Sequence, residues 1–289
     1  MKKYLIGVDI GGNKIKAGLV SNGKVIKRFS VNTEPERGEK AVIEKMLKAV
    51  SRVFTNDVSG IGVGSPGPID YKKGNIIGPK NIPLKNFNIK RILKKKFNVP
   101  VFLDNDANCF AFGEAVYGAG KKYDIVVGLT LGTGVGGGIV INKKIFHGRL
   151  NAGEFGHISI KHDGIKCKCG NFGCIEEYAS ERGIMRLAKG IKAENPLDIY
   201  ELALKGNKEA LEVFEKTGFY LGVAITNIIA AFDPEIIVVG GGISGSWNFF
   251  SKSMKETIKK RSFVNKNPII VKSRRKDAAI LGAASLVRI

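Results

Sequence analysis

One histidine and three cysteines are grouped in a polar stretch of the chain and have the residue types of a zinc site. They are His157, Cys167, Cys169 and Cys174. Three thiolates and one imidazole complete the tetrahedral coordination of a structural zinc ion. The Cys-x-Cys spacing is tighter than the spacing in common zinc fingers. The alternative, free thiols beside a surface histidine, fits poorly because three of the four cysteines fall between residues 167 and 174.

Carboxylates and amides are concentrated where a predicted strand meets a predicted helix, in the segment Asp104-Asn105-Asp106-Ala107-Asn108. In α/β sheets such a junction faces the ligand crevice. A carboxylate placed there can accept a proton from an attacking hydroxyl group. The alternative role is helix capping, which Asn and Asp perform well. The segment has enough polar residues for some to cap while one catalyses.

Three glycine turns each follow an apolar segment: Gly11-Gly12-Asn13-Lys14, Gly132-Thr133-Gly134 and Gly240-Gly241-Gly242. Glycine permits close backbone approach, so amide groups in such turns can point at phosphate oxygens. Asp9, just before the first turn, is placed to hold Mg²⁺ through water. None of the turns has the Walker A or dinucleotide pattern. Together they predict a phosphate site, with plain tight hairpins as the alternative.

Two carboxylates flank the cysteine cluster, and two turn sequences could line the same ligand site. A rigid metal loop could hold Glu154 and Glu176 against a polyhydroxylated ligand, whose hydroxyl groups each need an acceptor or a donor. The turns contain Ser65 and Asn81. Solvated loop charges and plain loops are the alternative interpretations of these four residues.

Strand and helix signals alternate along the chain and indicate an α/β fold. They predict a strand over 4–10, a hairpin around Ser21-Asn22-Gly23, a helix over 39–54 and a strand over 99–103. A strand, a glycine turn and a second strand occur at the first turn and again near residue 132. This short repeat predicts two related lobes with a cleft between them. The apolar helix predicted over 278–287 is expected to return to the first lobe.

Length and composition exclude several classes of protein. The chain has 289 residues, 44% of them hydrophobic, and lacks an uncharged apolar stretch of membrane-spanning length. Its short apolar N-terminal run reaches Asp9 too soon for a signal peptide, so a cytoplasmic protein without disulfides is expected. The net charge of +21 raises the possibility of nucleic-acid binding, but the basic residues are scattered in short groups. A lysine-rich surface is the simpler interpretation.

These motifs, in this order, resemble the ROK family of ATP-dependent sugar kinases, and most closely its glucokinase branch. The matching segments are Asp9-Ile-Gly-Gly-Asn-Lys14, Gly62-Val-Gly-Ser-Pro-Gly67, Asn105-Asp106-Ala-Asn108, Leu131-Gly-Thr-Gly-Val-Gly136, Gly153-Glu-Phe-Gly-His157, Cys167-Lys-Cys-Gly-Asn-Phe-Gly-Cys-Ile-Glu176 and Val239-Gly-Gly-Gly-Ile-Ser244. The resemblance implies a two-lobed actin-like, ribonuclease-H-like ATPase fold with a cleft. We assign residues 1–110 and 276–289 to a small lobe and 111–275 to a larger lobe with the zinc loop.

The resemblance also implies roles for individual residues. Asp106 would be the general base, and zinc would bind His157, Cys167, Cys169 and Cys174. Sugar contacts are expected from Ser65, Asn81, Asn105, Asp106, Glu154, His157 and Glu176. MgATP contacts are expected from Asp9, Gly11, Gly12, Asn13, Lys14, Thr133, Gly134, Gly241 and Gly242. Asn13 departs from the threonine that is common in the family, which leaves the role of this position open.

The implied reaction is phosphorylation of a hexose at the 6-hydroxyl, with glucose as the first choice. N-acetylglucosamine, N-acetylmannosamine and a broad range of hexoses are the alternatives, and polyphosphate is an alternative donor. A non-enzymatic sugar sensor is a further alternative, although it would need neither Asp106 nor the phosphate turns. Family repressors have an N-terminal helix-turn-helix, whereas the first strand is predicted here at residue 4. We therefore expect no nucleic-acid partner. No membrane partner is expected either, and the family resemblance favours a homodimer.

Overall fold

The structure is a computed structural model that describes residues 4–79 and 81–288. The strands are β1 Tyr4–Ile10, β2 Lys14–Ser21, β3 Lys24–Asn32, β4 Val58–Ser65, β5 Ile69–Asp70, β6 Asn75–Ile76, β7 Phe87–Asn88, β8 Val101–Asn105, β9 Ile125–Leu131, β10 Val135–Ile141, β11 Lys144–Ile145, β12 Ile236–Gly240 and β13 Ile269–Lys272. The α-helices are α1 Gly38–Val53, α2 Ile89–Phe97, α3 Asp106–Tyr117, α4 Glu176–Ala179, α5 Glu181–Leu187, α6 Pro196–Leu204, α7 Lys208–Phe232, α8 Trp247–Arg261 and α9 Ala278–Ser285.

The first sheet has the strand order β3-β2-β1-β4-β8. Strands β1, β4 and β8 are parallel, whereas β2 is antiparallel to both β1 and β3. The hairpin between β2 and β3 turns at Asn22 and Gly23, which have φ angles of 48° and 71°. Two successive positive φ angles are typical of the tight hairpin turn that Asn-Gly favours. The predicted hairpin is therefore confirmed.

The second sheet has the order β11-β10-β9-β12-β13, and a small third sheet has the order β5-β6-β7. Strand β12 is parallel to β13, and β10 is antiparallel to β11. The predicted sequence of strand, glycine turn and strand is present in both large sheets, as β1 to β2 and β9 to β10. The strand predicted over 99–103 is instead β8, which begins and ends two residues later. It continues through Asp104 and Asn105 because β4 pairs with them.

Helix α1 covers one face of the first sheet through apolar residues at helical spacing. Its buried side chains are Val42, Met46, Ala49, Val50 and Val53. They join the core formed by residues such as Ile6, Val8, Ile61 and Val63 from β1 and β4. Burying a large aliphatic side chain contributes about 1.5–3 kcal/mol to folding, so this face is a major source of stability. The predicted helix over 39–54 is confirmed within one residue at each end.

Helix α9 packs against the first sheet and α3 through closely approaching backbones. A Cβ atom added to Gly7 of β1 would meet the carbonyl oxygen of Ile280, and one added to Gly62 of β4 would meet that of Ala283. On the other side, Gly282 lies directly against the backbone of Cys109 in α3. Only glycine leaves room for backbones at this separation. The terminal helix therefore returns to the first sheet, as expected.

Contacts within the chain divide the described residues into two compact units. The first lies within Met1–Gly128, Gly138–Gly153 and Arg274–Ile289, and the second is Leu129–Gly137 with Glu154–Ser273. The lobes assigned from the sequence, 1–110 with 276–289 and 111–275, stay a prediction. In the part of the chain that the structure describes, no helix combines the length and apolarity that crossing a bilayer requires.

Candidate active site

Parallel strands of the first sheet bring three carboxylates to one edge, which we call the carboxylate edge: Asp9, Asp104 and Asp106. Asp9 is aligned with Gly64, and Gly64 is aligned with Asp104 on the next strand. The carboxyl ends of parallel strands meet at the same edge of a sheet, where α/β proteins place their ligands. Ser65 is also at this edge, but its side chain is fully buried and its hydroxyl donates to the Pro66 carbonyl oxygen over 3.2 Å.

The start of α3 separates the two roles that the sequence left open for its polar residues. Asn105 is the N-cap, because its Oδ1 accepts from the backbone nitrogens of Ala107 and Asn108 at 2.8 and 3.2 Å. Asp106 is the first residue of the helix and is half-buried. Its Oδ1 accepts from the nitrogen of Ala107 at 2.9 Å. Capping therefore belongs chiefly to Asn105, and Asp106 holds a fixed position beside it.

Cys109 is buried beside the carboxylate edge, close enough to its three acidic groups for their charges to affect the thiol. Burial raises the pKa of the Cys109 thiol well above its usual value, and Asp104, Asp106 and Asp9 raise it further. A thiol in such a setting is a packing group rather than a nucleophile. A Cβ atom added to Gly64 would lie 3.1 Å from Cys109 Sγ and 3.3 Å from Asp106 Cα. The first turn of α3 thus rests directly on β4.

The first glycine turn is a tight loop between β1 and β2. The Gly11 nitrogen donates to the Lys14 carbonyl oxygen at 3.0 Å, and Thr33 Oγ1 donates to the Gly11 carbonyl oxygen at 2.7 Å. Asn13 and Lys14 are exposed. A Cβ atom added to Gly12 would lie 3.7 Å from Asn81 Cβ, so the predicted sugar residue Asn81 lies beside this turn. Asp9 forms an ion pair with Lys16 at 3.3 Å across the hairpin.

Carboxylates surround the second glycine turn, between β9 and β10. Glu176 Oε2 accepts from the nitrogen of Val135 at 3.1 Å. Glu181 accepts from Thr133 Oγ1 at 3.3 Å, and its own nitrogen donates to the Gly132 carbonyl oxygen at 2.9 Å. Glu181 is not among the residues predicted from the sequence. Its place at the first position of a helix capped by Ser180 is the signal that could have found it.

The third glycine turn packs against the end of β9, directly before the second glycine turn. Gly241 has a φ angle of 87°, and a Cβ atom there would meet the backbone of Leu131, the last residue of β9. The nitrogen and hydroxyl of Ser244 both donate to the Gly241 carbonyl oxygen, at 3.2 and 2.7 Å. Gly241 is required here both by its backbone conformation and by the close approach. Gly242 follows in the first position of a short 3-10 helix.

The four predicted zinc ligands converge, and we call residues 157–174 the zinc loop. The ligand atoms of His157, Cys167, Cys169 and Cys174 all lie within 4.8 Å of one another. Cys167 Sγ is 3.8 Å from His157 Nδ1, and the sulfurs of Cys169 and Cys174 are 3.7 Å apart. Zinc–sulfur bonds of about 2.3 Å in a tetrahedron place neighbouring sulfurs about 3.8 Å apart. The donor set and its spacing therefore fit a zinc ion.

The zinc loop contains little regular structure of its own. Two isolated bridges, Ser159 with Cys174 and Lys166 with Phe172, cross it. Gly170 and Gly173 turn the chain with φ angles of 102° and 68°. A bound metal would supply the cross-link that regular hydrogen bonding supplies elsewhere. Because Nδ1 of His157 faces the cysteines, Nε2 is the ring nitrogen that could serve a ligand.

The predicted sugar residues of the second unit lie around the zinc loop. Burial by the surrounding protein raises the pKa of Glu154, the His157 side chain opposes this, and the Glu176 carboxylate adds to it. Gly156 packs against the backbone of Val135, which is also the residue that Glu176 binds. Glu154, His157 and Glu176 are therefore grouped beside the second glycine turn.

The remaining histidines differ from each other. His162 is almost fully exposed, with Nδ1 3.9 Å from an oxygen of Asp163. His147 has a buried partner, because its Nε2 lies 2.7 Å from Asp104 Oδ2. A contact between residues so distant in sequence depends on the tertiary fold and has no local signal.

The structure thus places the predicted residues in two groups, one on each compact unit. On the first unit are Asp9, Gly11, Gly12, Asn13, Lys14, Ser65, Asn81, Asn105 and Asp106. On the second are Thr133, Gly134, Glu154, His157, Cys167, Cys169, Cys174, Glu176, Gly241 and Gly242.

Comparison with known proteins assigns the chain to a family. Residues 5–289 match the ROK family, so the chain belongs to it. A glucokinase of Thermotoga maritima is 35% identical, with 99% of this chain and 98% of the relative covered. The xylose repressor of Bacillus subtilis is 32% identical, but this chain covers only 77% of it. A ROK family glucokinase of Streptomyces griseus, solved with glucose and AMPPNP, superposes with a TM-score of 0.89 and 32% identity over 99% of both chains. This likeness confirms the predicted two-lobed actin-like ATPase class of fold.

Proposed function

We propose that the chain is an ATP-dependent sugar kinase that converts glucose to glucose 6-phosphate. The observation that carries this proposal is the similarity to glucokinases over 99% of the chain, with the same likeness in fold to a glucokinase solved with glucose and AMPPNP. The carboxylate edge gives the proposal a chemical basis, because phosphoryl transfer to a hydroxyl group needs an acceptor for the hydroxyl proton.

Asp106 is the proposed general base. Its position is fixed by the first turn of α3, and Asn105 rather than Asp106 carries the main capping bonds. The carboxylate takes the proton from the 6-hydroxyl as the oxygen attacks the γ-phosphate. Asn105 can engage a sugar hydroxyl through Nδ2 while Oδ1 keeps the cap.

The other sugar contacts are assigned to groups that match the hydroxyls of a hexose. Carboxylate oxygens of Glu154 and Glu176 accept hydrogen bonds, and Nε2 of His157 donates or accepts. Asn81, beside the first glycine turn, is a further proposed sugar contact through its amide. Ser65 stays a prediction with less support, since its side chain is buried.

MgATP is assigned to the glycine turns and to the residues next to them. The proposed contacts are Asp9, Gly11, Gly12, Asn13, Lys14, Thr133, Gly134, Gly241 and Gly242. Backbone amides of such turns suit phosphate oxygens, and Mg²⁺ screens the triphosphate during transfer. Asp9 would hold the ion through water.

A structural zinc ion is proposed at His157, Cys167, Cys169 and Cys174, which fit it in donor type and spacing. Its contribution would be to fix the zinc loop, and with it the orientation of His157. A homodimer, a cytoplasmic location and the lack of nucleic-acid partners stay predictions.

Two alternatives concern the same site. N-acetylhexosamines or a broad range of hexoses could replace glucose, and polyphosphate could replace ATP. The similarity to a xylose repressor and the charge of +21 also favour, more weakly, a sugar-sensing regulator. A sensor has no need of a base, so the carboxylate edge supports the enzyme.

The proposal is tested by sugar-dependent ADP release from MgATP. The panel is glucose, mannose, fructose, N-acetylglucosamine and N-acetylmannosamine. We expect kcat/KM for glucose to exceed that for every other sugar by about tenfold, equal to about 1.4 kcal/mol of discrimination. Preference for an N-acetylhexosamine would reassign the substrate. Absence of turnover with every sugar, by folded protein that contains zinc, would refute the kinase with ATP as donor, and polyphosphate would be tried next.

A further inference from the structure

His147 contacts two parts of the first unit, the end of β8 and the turn between β5 and β6. It follows β11, and its Nε2 lies 2.7 Å from Oδ2 of Asp104 at the end of β8. Its imidazole ring stacks on the Tyr71 ring, with 3.9 Å between the ring centroids and 12° between the planes. A nitrogen at this distance from a carboxylate oxygen carries hydrogen and donates it.

Asp104 links His147 to the start of α3 through hydrogen bonds on both of its carboxylate oxygens. The side chain is buried, and its other oxygen, Oδ1, accepts from the Asn105 nitrogen at 2.7 Å and from Asn108 Nδ2 at 2.9 Å. A buried carboxylate is costly unless hydrogen bonds satisfy it. Loss of the His147 bond would leave Oδ2 without this donor, and the carboxylate would be expected to move. Asn105 and Asn108 would move with it.

Tyr71 ties the same histidine to the small third sheet. It lies in the turn between β5 and β6, and Lys90 fixes that turn by donating from Nζ to the carbonyl oxygens of Tyr71 and Lys72 at 2.7 and 3.1 Å. The segment after β6 leads to Asn81, the residue beside the first glycine turn. The ring stack therefore connects the carboxylate edge to the third sheet, from which the chain continues to a proposed sugar contact.

We propose that His147 is a positioning residue, which holds Asp106 in place through Asp104 and the cap of α3. The proposal rests on the proposed kinase function, because it assigns a role within that reaction. His147 itself touches neither reacting atom. Its effect should appear in kcat more than in the KM for ATP, since a displacement of about 1 Å at a reacting group can cost about a hundredfold in rate.

Two substitutions separate the hydrogen bond from the ring stack. His147→Phe keeps an aromatic ring for Tyr71 but removes the donor to Asp104. His147→Gln keeps an N–H donor near the place of Nε2 but removes the ring. The matched control is His162→Phe, because His162 is exposed and lies outside this network.

We expect His147→Phe to lower kcat about tenfold or more, with the KM for ATP unchanged. His147→Gln should recover most of that loss, and His162→Phe should match the wild type. A kcat of His147→Phe within about twofold of the wild type would overturn the proposal. Equal losses in both His147 variants, in proportion to lost thermal stability, would also overturn it, because they would indicate a merely structural role.

A second measurement does not depend on activity. Hydrogen exchange at the backbone amides of residues 105–108 should be faster in His147→Phe than in the wild type or in His147→Gln. Unchanged exchange there would contradict the link through Asp104. Should the wild type show no sugar kinase activity, the proposed function fails, and the exchange result still decides whether His147 positions the start of α3.

Discussion

The carboxylate edge and the zinc loop both hold residues assigned to the sugar, but the chain fixes them by different means. Parallel strands and a capped helix set the positions of Asp104 and Asp106. In the zinc loop, isolated bridges and left-handed glycines connect His157 to three cysteines. Regular hydrogen bonding positions the first group, whereas the second would depend on the cross-link supplied by the proposed zinc ion.

Because of this difference, substitutions in the two regions should affect different properties. Those at the carboxylate edge should lower the reaction rate, and those in the zinc loop should lower the stability of the protein. A substitution that removes a charge at the carboxylate edge should remove a reacting group but leave the surrounding strands and α3 folded. A change of a proposed zinc ligand should remove the metal, and the loop that carries His157 should then lose that support. The first kind of variant should fold normally and fail in kcat, whereas the second should lose stability and sugar affinity together.

Asp106→Asn should reduce kcat by about 10²–10⁴-fold, because the amide cannot accept the hydroxyl proton. Zinc content, melting temperature and glucose binding should stay close to the wild-type values. Steady-state kinetics, calorimetry and metal analysis check this together. The matched control is Asp57→Asn, at an exposed position away from the edge. Retention of most of the kcat in Asp106→Asn would exclude it as the base.

Cys169→Ser should abolish stoichiometric zinc and destabilise the protein by about 2 kcal/mol or more, because structural zinc contributes folding free energy. The KM for glucose should rise more than kcat falls. Metal analysis, thermal unfolding and kinetics on the same preparations measure these effects. A fully active wild-type protein that is purified without zinc would contradict the metal assignment.

Gly241→Ala should weaken ATP binding and lower stability by about 1–3 kcal/mol. The added methyl group would meet the Leu131 backbone, and the φ angle of 87° is unfavourable for alanine. The control is Gly245→Ala, where an added Cβ atom has open space and φ is not positive. The KM for ATP and the melting temperature report the two effects. Equal behaviour of the two variants would argue against a packed turn at Gly241.

Glu181→Gln tests the smallest effect, at the carboxylate beside Thr133. Its carboxylate accepts from the Thr133 hydroxyl at 3.3 Å, and glutamine keeps an acceptor but removes the negative charge beside a proposed phosphate turn. We expect the KM for ATP to fall by about threefold or less, since a like charge near the phosphates is removed. A comparable change in the KM for glucose would indicate that Glu181 does not act on the phosphate turn.

The sequence was sufficient for features with a local chemical signal. The four candidate zinc ligands were grouped by residue type and spacing, and the structure brings them together. Asn22-Gly23 predicted its hairpin because that pair suits a tight turn. The Asn105 cap was foreseen only as one of several possible roles, since four polar residues compete at the start of α3. The structure resolves this competition, because Asp104 is buried and paired while Asn105 binds the first helical amides.

Contacts between distant segments could not be predicted in the same way. His147 and Asp104 are 43 positions apart, and only the folded chain brings the loop after β11 to the end of β8. The end of β8 was predicted two residues too early because Asp104 and Asn105 are polar, whereas pairing with β4 keeps them in the strand. The capped helix start at Glu181 is a local signal, but its contact with Thr133, which belongs to a different element, is not.

The identity of the product formed from glucose and MgATP, measured by ³¹P and ¹H NMR, tests the assignment as a glucose kinase most directly. We expect glucose 6-phosphate in equal amount to ADP with the wild type, and formation of both products about 10²–10⁴-fold more slowly with Asp106→Asn. Phosphate attached to another hydroxyl would contradict the assigned geometry. Release of inorganic phosphate without a sugar phosphate, or no reaction at all, would contradict the assignment as a glucose kinase.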